Sequence, residues 1–289
     1  MILQETYPLS NGRTIPKLGL GTWFIDDDKA AQAVREAVAQ GYRLIDTAQA
    51  YGNERGVGKG VRTCGLPREQ LFVASKVAAE LKSYDEAARS IDETLTKMGL
   101  DYLDQIIIHS PQPWKEFGKE YRYQAENREV WRALEDAYEA GKVKAIGVSN
   151  FRQDDLENIL ATCKVKPMIN QILLHISKTD TALLDYCKAQ GIVVEAYSPI
   201  AHGESLKDPA IAAMAQKYGV TAAQLCIRYV LQLGTVALPK TADPAHMKDN
   251  AAVDFTINDE DMQALLHAPT IQTYGEFDVF PVFSGKALG

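Results

Sequence analysis

The chain lacks several things that would have assigned it quickly. No apolar run approaches the roughly 20 residues of a bilayer span, and the N-terminus carries no signal-peptide pattern, so no membrane partner and a cytoplasmic location are expected. Cysteine is scarce: Cys64, Cys163, Cys187 and Cys226 are the only four, without CxxC spacing, which argues against a zinc cluster or a disulfide framework. The 5 histidines are equally dispersed and no HExxH occurs, so no metal is expected. Positive charge is also short, with 31 Lys and Arg against 38 Asp and Glu for a net −7, which argues against nucleic acid as a partner. A dinucleotide-binding fingerprint is incomplete. Leu18-Gly19-Leu20-Gly21-Thr22-Trp23 has two glycines, but the third and the helix opening behind it are missing.

What is present is a regular alternation of short apolar strands and amphipathic helices. After a hairpin signal, Asn11-Gly12 between Tyr7-Pro8-Leu9 and Thr14-Ile15, strands are predicted at Leu18–Trp23, Leu44–Asp46, Leu71–Ser75, Gln105–Ile108, Val143–Val148, Pro167–Ile169, Ile192–Val194 and Thr235–Leu238. Between them, Asp28 is read as a helix cap, Ser83 to Glu86 as a capping box, and Thr221 with Gln224 as another. The acidic runs Asp26-Asp27-Asp28 and Asp259-Glu260-Asp261 suit first helical turns, where the dipole favours anions. Eight such units without linker, repeat or composition break predict one α/β domain over residues 1–289, a (β/α)₈ TIM barrel with an N-terminal β-hairpin. Long segments, Ser110–Asn127, Ile200–Pro209 and the tail Pro269–Gly289, are expected to cover its C-terminal mouth. A closed barrel has no free sheet edge, so a monomer is the simplest expectation.

Ionisable residues stand where strands end. Asp46 follows Leu44-Ile45, Lys76 follows Leu71–Ser75, His109 follows Gln105–Ile108, and Tyr51 lies one loop beyond Asp46. A buried strand carries a charged side chain most readily at its end, where another charge or a ligand compensates desolvation. Taken singly, each has a plainer explanation: Asp46 as a cap or ion-pair partner, His109 bonded to a backbone carbonyl, Lys76 as a Schiff-base lysine of a barrel lyase. Taken together they make a proton donor for a carbonyl that gains negative charge. Tyr51 is the acid, Lys76 the cation that lowers its pKa, Asp46 the group that keeps Lys76 charged, and His109 the residue that orients the substrate oxygen.

The stretch Gly41-Tyr42-Arg43-Leu44-Ile45-Asp46-Thr47-Ala48, with Glu54 and Val57-Gly58 at matching spacing, resembles the aldo-keto reductase family, and the similarity runs from Leu18 to Asn250. The region Trp131–Phe151 resembles bacterial 2,5-diketogluconate reductase-like members. The resemblance implies a barrel that binds NADPH without a dinucleotide-binding domain, a small-molecule carbonyl substrate, and Asp46, Tyr51, Lys76 and His109 as the catalytic tetrad. It further implies that Ser149, Asn150 and Gln171 hold the nicotinamide carboxamide and that Tyr197 stacks on the ring. Thr22 and Ser198 would touch the cofactor further along, and Lys240, Thr241, His246, Asp249 and Asn250 would sit at the adenosine end. His246 stands where relatives usually carry arginine, and Asp249 where they carry glutamate. The site should therefore favour NADPH less strictly and also use NADH. Ser110 stands where many relatives have tryptophan, which predicts a smaller, more polar pocket floor. Trp23 and Trp114 are expected to line the pocket. A barrel that keeps the tetrad but only senses NADPH, or serves as an interaction subunit, is the non-enzymatic alternative.

Overall fold

The computed structural model describes residues 1–285, so the last four positions of the predicted tail lie outside the described residues. A short hairpin, β1 (Thr6–Pro8) and β2 (Thr14–Pro16), precedes eight strands that form one parallel sheet. They are β3 (Gly19–Gly21), β4 (Leu44–Asp46), β5 (Phe72–Val77), β6 (Gln105–Ile108), β7 (Ile146–Ser149), β8 (Ile169–Leu173), β9 (Val193–Tyr197) and β10 (Val236–Leu238). Each pairs with its sequence neighbours, and parallel bridges from Leu18 to Ala237 and from Gly21 to Lys240 bring the last strand against the first. The result is the (β/α)₈ barrel that the alternation predicts. Around it run α1 (Asp27–Ala39), α2 (Glu54–Thr63), α3 (Tyr84–Met98), α4 (Gln124–Glu139), α5 (Gln153–Leu160), α6 (Thr181–Gln190), α7 (Pro209–Tyr218), α8 (Ala222–Gln232), α9 (Pro244–Ala251), α10 (Asp259–Leu266) and α11 (Pro281–Ser284). Among the described residues, no helix is long and apolar enough to cross a membrane.

The hairpin closes the end of the barrel where the strands begin. Leu9 and Ile15 pack with Leu44, Phe72, Met168, Ile169 and Val236 from the strand starts, and Asn11 donates to the Lys144 carbonyl at 2.9 Å. This blocks one end and leaves the C-terminal end of the strands as the way in.

Local signals were mostly right about type and less so about limits. Thr221 and Gln224 form the reciprocal box, at 2.9 and 3.2 Å. Ser83 caps α3 but makes half of one, because its hydroxyl donates to the Glu86 carboxylate at 2.7 Å. The first helix starts after Asp26, which places Asp28 inside its first turn. Lys76 lies within β5 and Gln171 within β8, one or more residues before the strand ends. Residues 143–145 precede β7, where Val143 makes only a bridge to Leu103.

The segment after Asn53 holds three glycines, Gly56, Gly58 and Gly60, yet it forms α2. A Cβ on Gly56 would stand 2.0 Å from the Asp27 carbonyl oxygen, and one on Gly58 would stand 2.2 Å from that of Met98. Glycine there lets α2 press against α1 and α3, and this packing outweighs its poor helix propensity.

Candidate active site

The site begins with a charge pair inside the barrel. β4 and β5 run parallel with Asp46 beside Ala74, so Lys76 emerges two residues further along the same face. Its Nζ lies 2.7 Å from both Asp46 carboxylate oxygens and 2.8 Å from the Thr47 carbonyl. Burial is the largest single effect and favours the neutral amine, but Asp46, Tyr51 and Glu195 together outweigh it and raise the Lys76 pKa above its ordinary value, so the ammonium persists. An amine held charged on three acceptors is a poor Schiff-base nucleophile, which removes support from the lyase reading.

Tyr51 ends the single 3-10 turn Gln49–Tyr51 that follows β4, and the Lys76 ammonium lies 4.9 Å from its ring centroid. The sequence pattern leads one to expect that Lys76 pulls the phenol down. Lys76 does act in that direction, but burial is the larger effect, Asp46 opposes Lys76, and the Tyr51 pKa rises overall. The proton therefore stays on Tyr51 until negative charge develops beside it.

His109 comes off the end of β6 with its ring edge-on to Tyr51, centroids 5.7 Å apart, and to Trp114 at 5.2 Å. Burial and then the Lys76 cation push its pKa well below the ordinary value. Its imidazole is thus neutral, and its buried Nδ1 has no hydrogen-bond partner.

The opposite wall is built of amides. Asn150, in the left-handed region at φ +61°, donates to the His109 carbonyl at 3.0 Å and accepts the Tyr197 hydroxyl at 2.7 Å. Gln171 Nε2 donates to Asp46 at 3.0 Å and to Glu195 at 2.6 Å. Glu195 was not anticipated. It lies fully buried in β9, where Gln105 also donates to it, and burial followed by the Asp46 charge pushes its pKa up to about 7. The one signal for it in the sequence is a glutamate interrupting the apolar run Ile192 to Ala196.

These walls enclose a cavity of about 490 Å³. Thr22, Trp23, Asp46, Tyr51, His109, Trp114, Ser149, Asn150, Gln171, Tyr197, Ser198 and Lys240 line it, with Lys76 behind Asp46. Several sequence-predicted residues do not. Ser110 is fully buried; its hydroxyl accepts from the Gln112 amide at 3.3 Å and its carbonyl from Lys82 at 2.9 Å, so it forms no pocket floor. The indole edge against His109 comes from Trp114 instead. Thr241 and Asn250 are buried outside the cavity lining, while His246 and Asp249 are exposed on α9. In the same long segment as Trp114, Tyr121 and Tyr123 pack on each other at 4.7 Å, and Tyr121 faces solvent.

Aromatic residues that the sequence had not marked close the outer side: Phe24, His202, Phe277, Phe280 and Phe283. Trp23 lies 5.0 Å from Phe280 and 5.5 Å from His202, and His202 stacks on Phe277 at 4.0 Å. All three long segments thus reach the mouth, through Trp114, His202 and the tail phenylalanines. A planar ring bearing a carboxamide suits this cavity, with amide partners on one wall and the Tyr197 face beside them.

Comparison with known proteins agrees with this geometry. The model of the Aldo/keto reductase family matches residues 17–268. The uncharacterized oxidoreductase YtbE of Bacillus subtilis is 41% identical over 269 residues, covering 91% of this chain and 92% of the relative. Glyoxal reductase of the same organism is 40% identical over 265 residues, again covering 91% and 92%. Among solved structures, the Bombyx mori aldo-keto reductase in complex with NADP superposes with a TM-score of 0.84 at 29% identity, covering 95% of each chain.

Proposed function

This chain belongs to the aldo/keto reductase family and is an NAD(P)H-linked oxidoreductase; from that premise we propose that it reduces aldehydes or ketones, with Tyr51 as the general acid and NADPH as the preferred cofactor. The observation that carries the reading is the Lys76–Asp46 pair, held at 2.7 Å beneath a protonated Tyr51 and a neutral His109 at the cavity wall. When bound, the reduced nicotinamide supplies the hydride. Ser149, Asn150 and Gln171 would hold its carboxamide and Tyr197 would shield one face of the ring. Thr22 and Ser198 would contact the cofactor further along. Lys240, also in the cavity lining, would meet the cofactor beyond them, and Thr241, Asn250, His246 and Asp249, outside that lining, would receive the adenosine portion.

At the carbonyl, His109 offers a neutral ring N–H to the oxygen and fixes its approach. Tyr51 then gives its proton to that oxygen as negative charge builds there. Lys76 stabilises the phenolate left behind, and Asp46 keeps Lys76 charged. The reverse sequence, with Tyr51 taking the proton, serves alcohol oxidation.

Among the described residues, the substrate end is walled by Trp23, Trp114, Phe277, Phe280 and Phe283, and Lys240 is the only lysine or arginine in the cavity lining. A neutral carbonyl therefore fits better than a keto acid. The glyoxal reductase relative places small aldehydes first in a test panel, with ketones and keto-sugars beside them. Purified protein should consume NADPH with at least one of these, and Tyr51→Phe should bind NADPH normally while turnover drops about 10²–10⁴-fold, the usual worth of a general acid. Tight NADPH binding without turnover across the panel would replace this reading with a cofactor sensor.

A further inference from the structure

Gln171 sits between two carboxylates, Asp46 on β4 and Glu195 on β9. Its Nε2 donates to Asp46 Oδ1 at 3.0 Å and to Glu195 Oε2 at 2.6 Å. A primary amide has two N–H protons, and both are engaged. Turning the amide over would set its carbonyl oxygen against the same two carboxylates, so charge alone selects this orientation. The remaining polar atom, Oε1, can only accept.

Glu195 takes no part in the ion pair, since Lys76 is satisfied by Asp46 and the Thr47 carbonyl. It is held by Gln105 on β6, whose Nε2 lies 3.1 Å from each of its oxygens. Gln105, Gln171 and Glu195 are all buried, at 0%, 2% and 0% exposure. A carboxylate placed mid-strand inside a barrel carries a large desolvation cost that the fold does not require.

We propose that Glu195 is a positioning residue: it locks the Gln171 amide so that only an acceptor faces the bound ring, and so makes the cavity select a carboxamide over a carboxylate. This rests on the reading that the cavity takes a nicotinamide. A carboxamide N–H can donate to Gln171 Oε1, whereas a nicotinic acid group would bring an anion against that oxygen. The selection is exerted through Gln171 and not by the Glu195 charge directly, which the choice of variants separates. Leucine at 195 removes the anchor. Glutamine at 195 keeps an oxygen for Gln171, while Gln105, whose Oε1 has no partner, turns over to accept from the new amide.

The test is equilibrium binding by tryptophan fluorescence, using NADP⁺, its nicotinic acid analogue, and 2′,5′-ADP as a probe without the ring. The wild-type protein should prefer NADP⁺ to the analogue by about tenfold or more, equivalent to about 1.4 kcal/mol. Glu195→Leu should shrink that preference to about threefold or less with 2′,5′-ADP binding unchanged, and Glu195→Gln should restore it. An unshrunken preference in Glu195→Leu, or a Glu195→Gln that behaves like the leucine variant, overturns the positioning role. If Glu195→Leu does not fold, equal wild-type affinity for the two dinucleotides still overturns it. Carbonyl turnover by a wild-type protein whose Glu195→Leu variant discriminates normally sinks only this inference. Discrimination without any turnover sinks only the proposed reaction, and no NADP⁺ binding sinks both.

Discussion

On the inner side of the cavity, Asp46, Lys76, Gln171 and Glu195 stand on strands and hold one another through hydrogen bonds of 2.6 to 3.0 Å. On the outer side, Trp23, Phe277, Phe280 and Phe283 come from loops and the tail and meet through ring edges and faces, while Trp114 packs edge-on to His109. The two sides answer to different physics. Hydrogen bonds between buried charged groups are directional and lose much when one partner moves. Aromatic contacts fall off gently with geometry, and the loops that carry them accept change. The inner side can thus hold a proton donor in register while the outer side is remodelled for another carbonyl.

The largest effect expected is on the inner side. Lys76→Met leaves Asp46 buried without its cation, so stability should fall by about 3–5 kcal/mol, the usual result of removing one partner of a buried pair. Asp46→Asn relieves the excess of carboxylates and should destabilise less, while both variants depress turnover. Urea unfolding of the two proteins side by side checks the order. Equal losses would mean that charge balance does not govern this wall.

A smaller effect, on the outer side, is a response to acid. His175 is buried; its Nδ1 donates to the Ile176 carbonyl at 2.8 Å and its Nε2 accepts the Tyr274 hydroxyl at 2.9 Å, which ties down the start of the aromatic tail. Burial lowers its pKa from 6.5 to about 4. A lowered folded-state pKa means that the stabilisation is fully present above 6.5 and is lost as the pH falls through about 4. Limited proteolysis of the tail should accelerate over that window. A cleavage rate flat from pH 7 to pH 4 would show that the tail is not anchored there.

The smallest effect belongs to neither side. His246 is exposed on α9, outside the cavity lining. His246→Arg should raise the preference for NADPH over NADH by about two- to fivefold, since exposed charge contacts are weak. Catalytic efficiencies with both cofactors measure it, and an unaltered ratio would remove His246 from cofactor selection.

Much of the inner side is legible in the amino-acid sequence. Asp46, Lys76 and His109 announce themselves as ionisable residues closing apolar runs, and Tyr51 lies within one loop of the first. Glu195 is not legible in this way, because a single glutamate in an apolar strand reads the same whether it faces solvent or the barrel interior. Ser110 misleads for a related reason. Its position beside His109 suggests the pocket, but its backbone turns it back toward Gln112. The tail phenylalanines carry no periodicity, so nothing in the sequence says that Phe277, Phe280 and Phe283 meet Trp23, some 250 residues away in the chain.

By itself, the sequence determined what local interactions determine: strands and helices in alternation, a box at Thr221 and Gln224, a hairpin at Asn11-Gly12, and hence an eight-unit barrel with its chemistry at one end. The tertiary structure decided which side chains share that end. Gln171 reaches Asp46 across 125 residues of chain, and that contact exists only once the eight strands have closed in register. Closure also sets the pKa values, because burial of Tyr51, His109 and Glu195 is a property of the assembled barrel and of no segment within it.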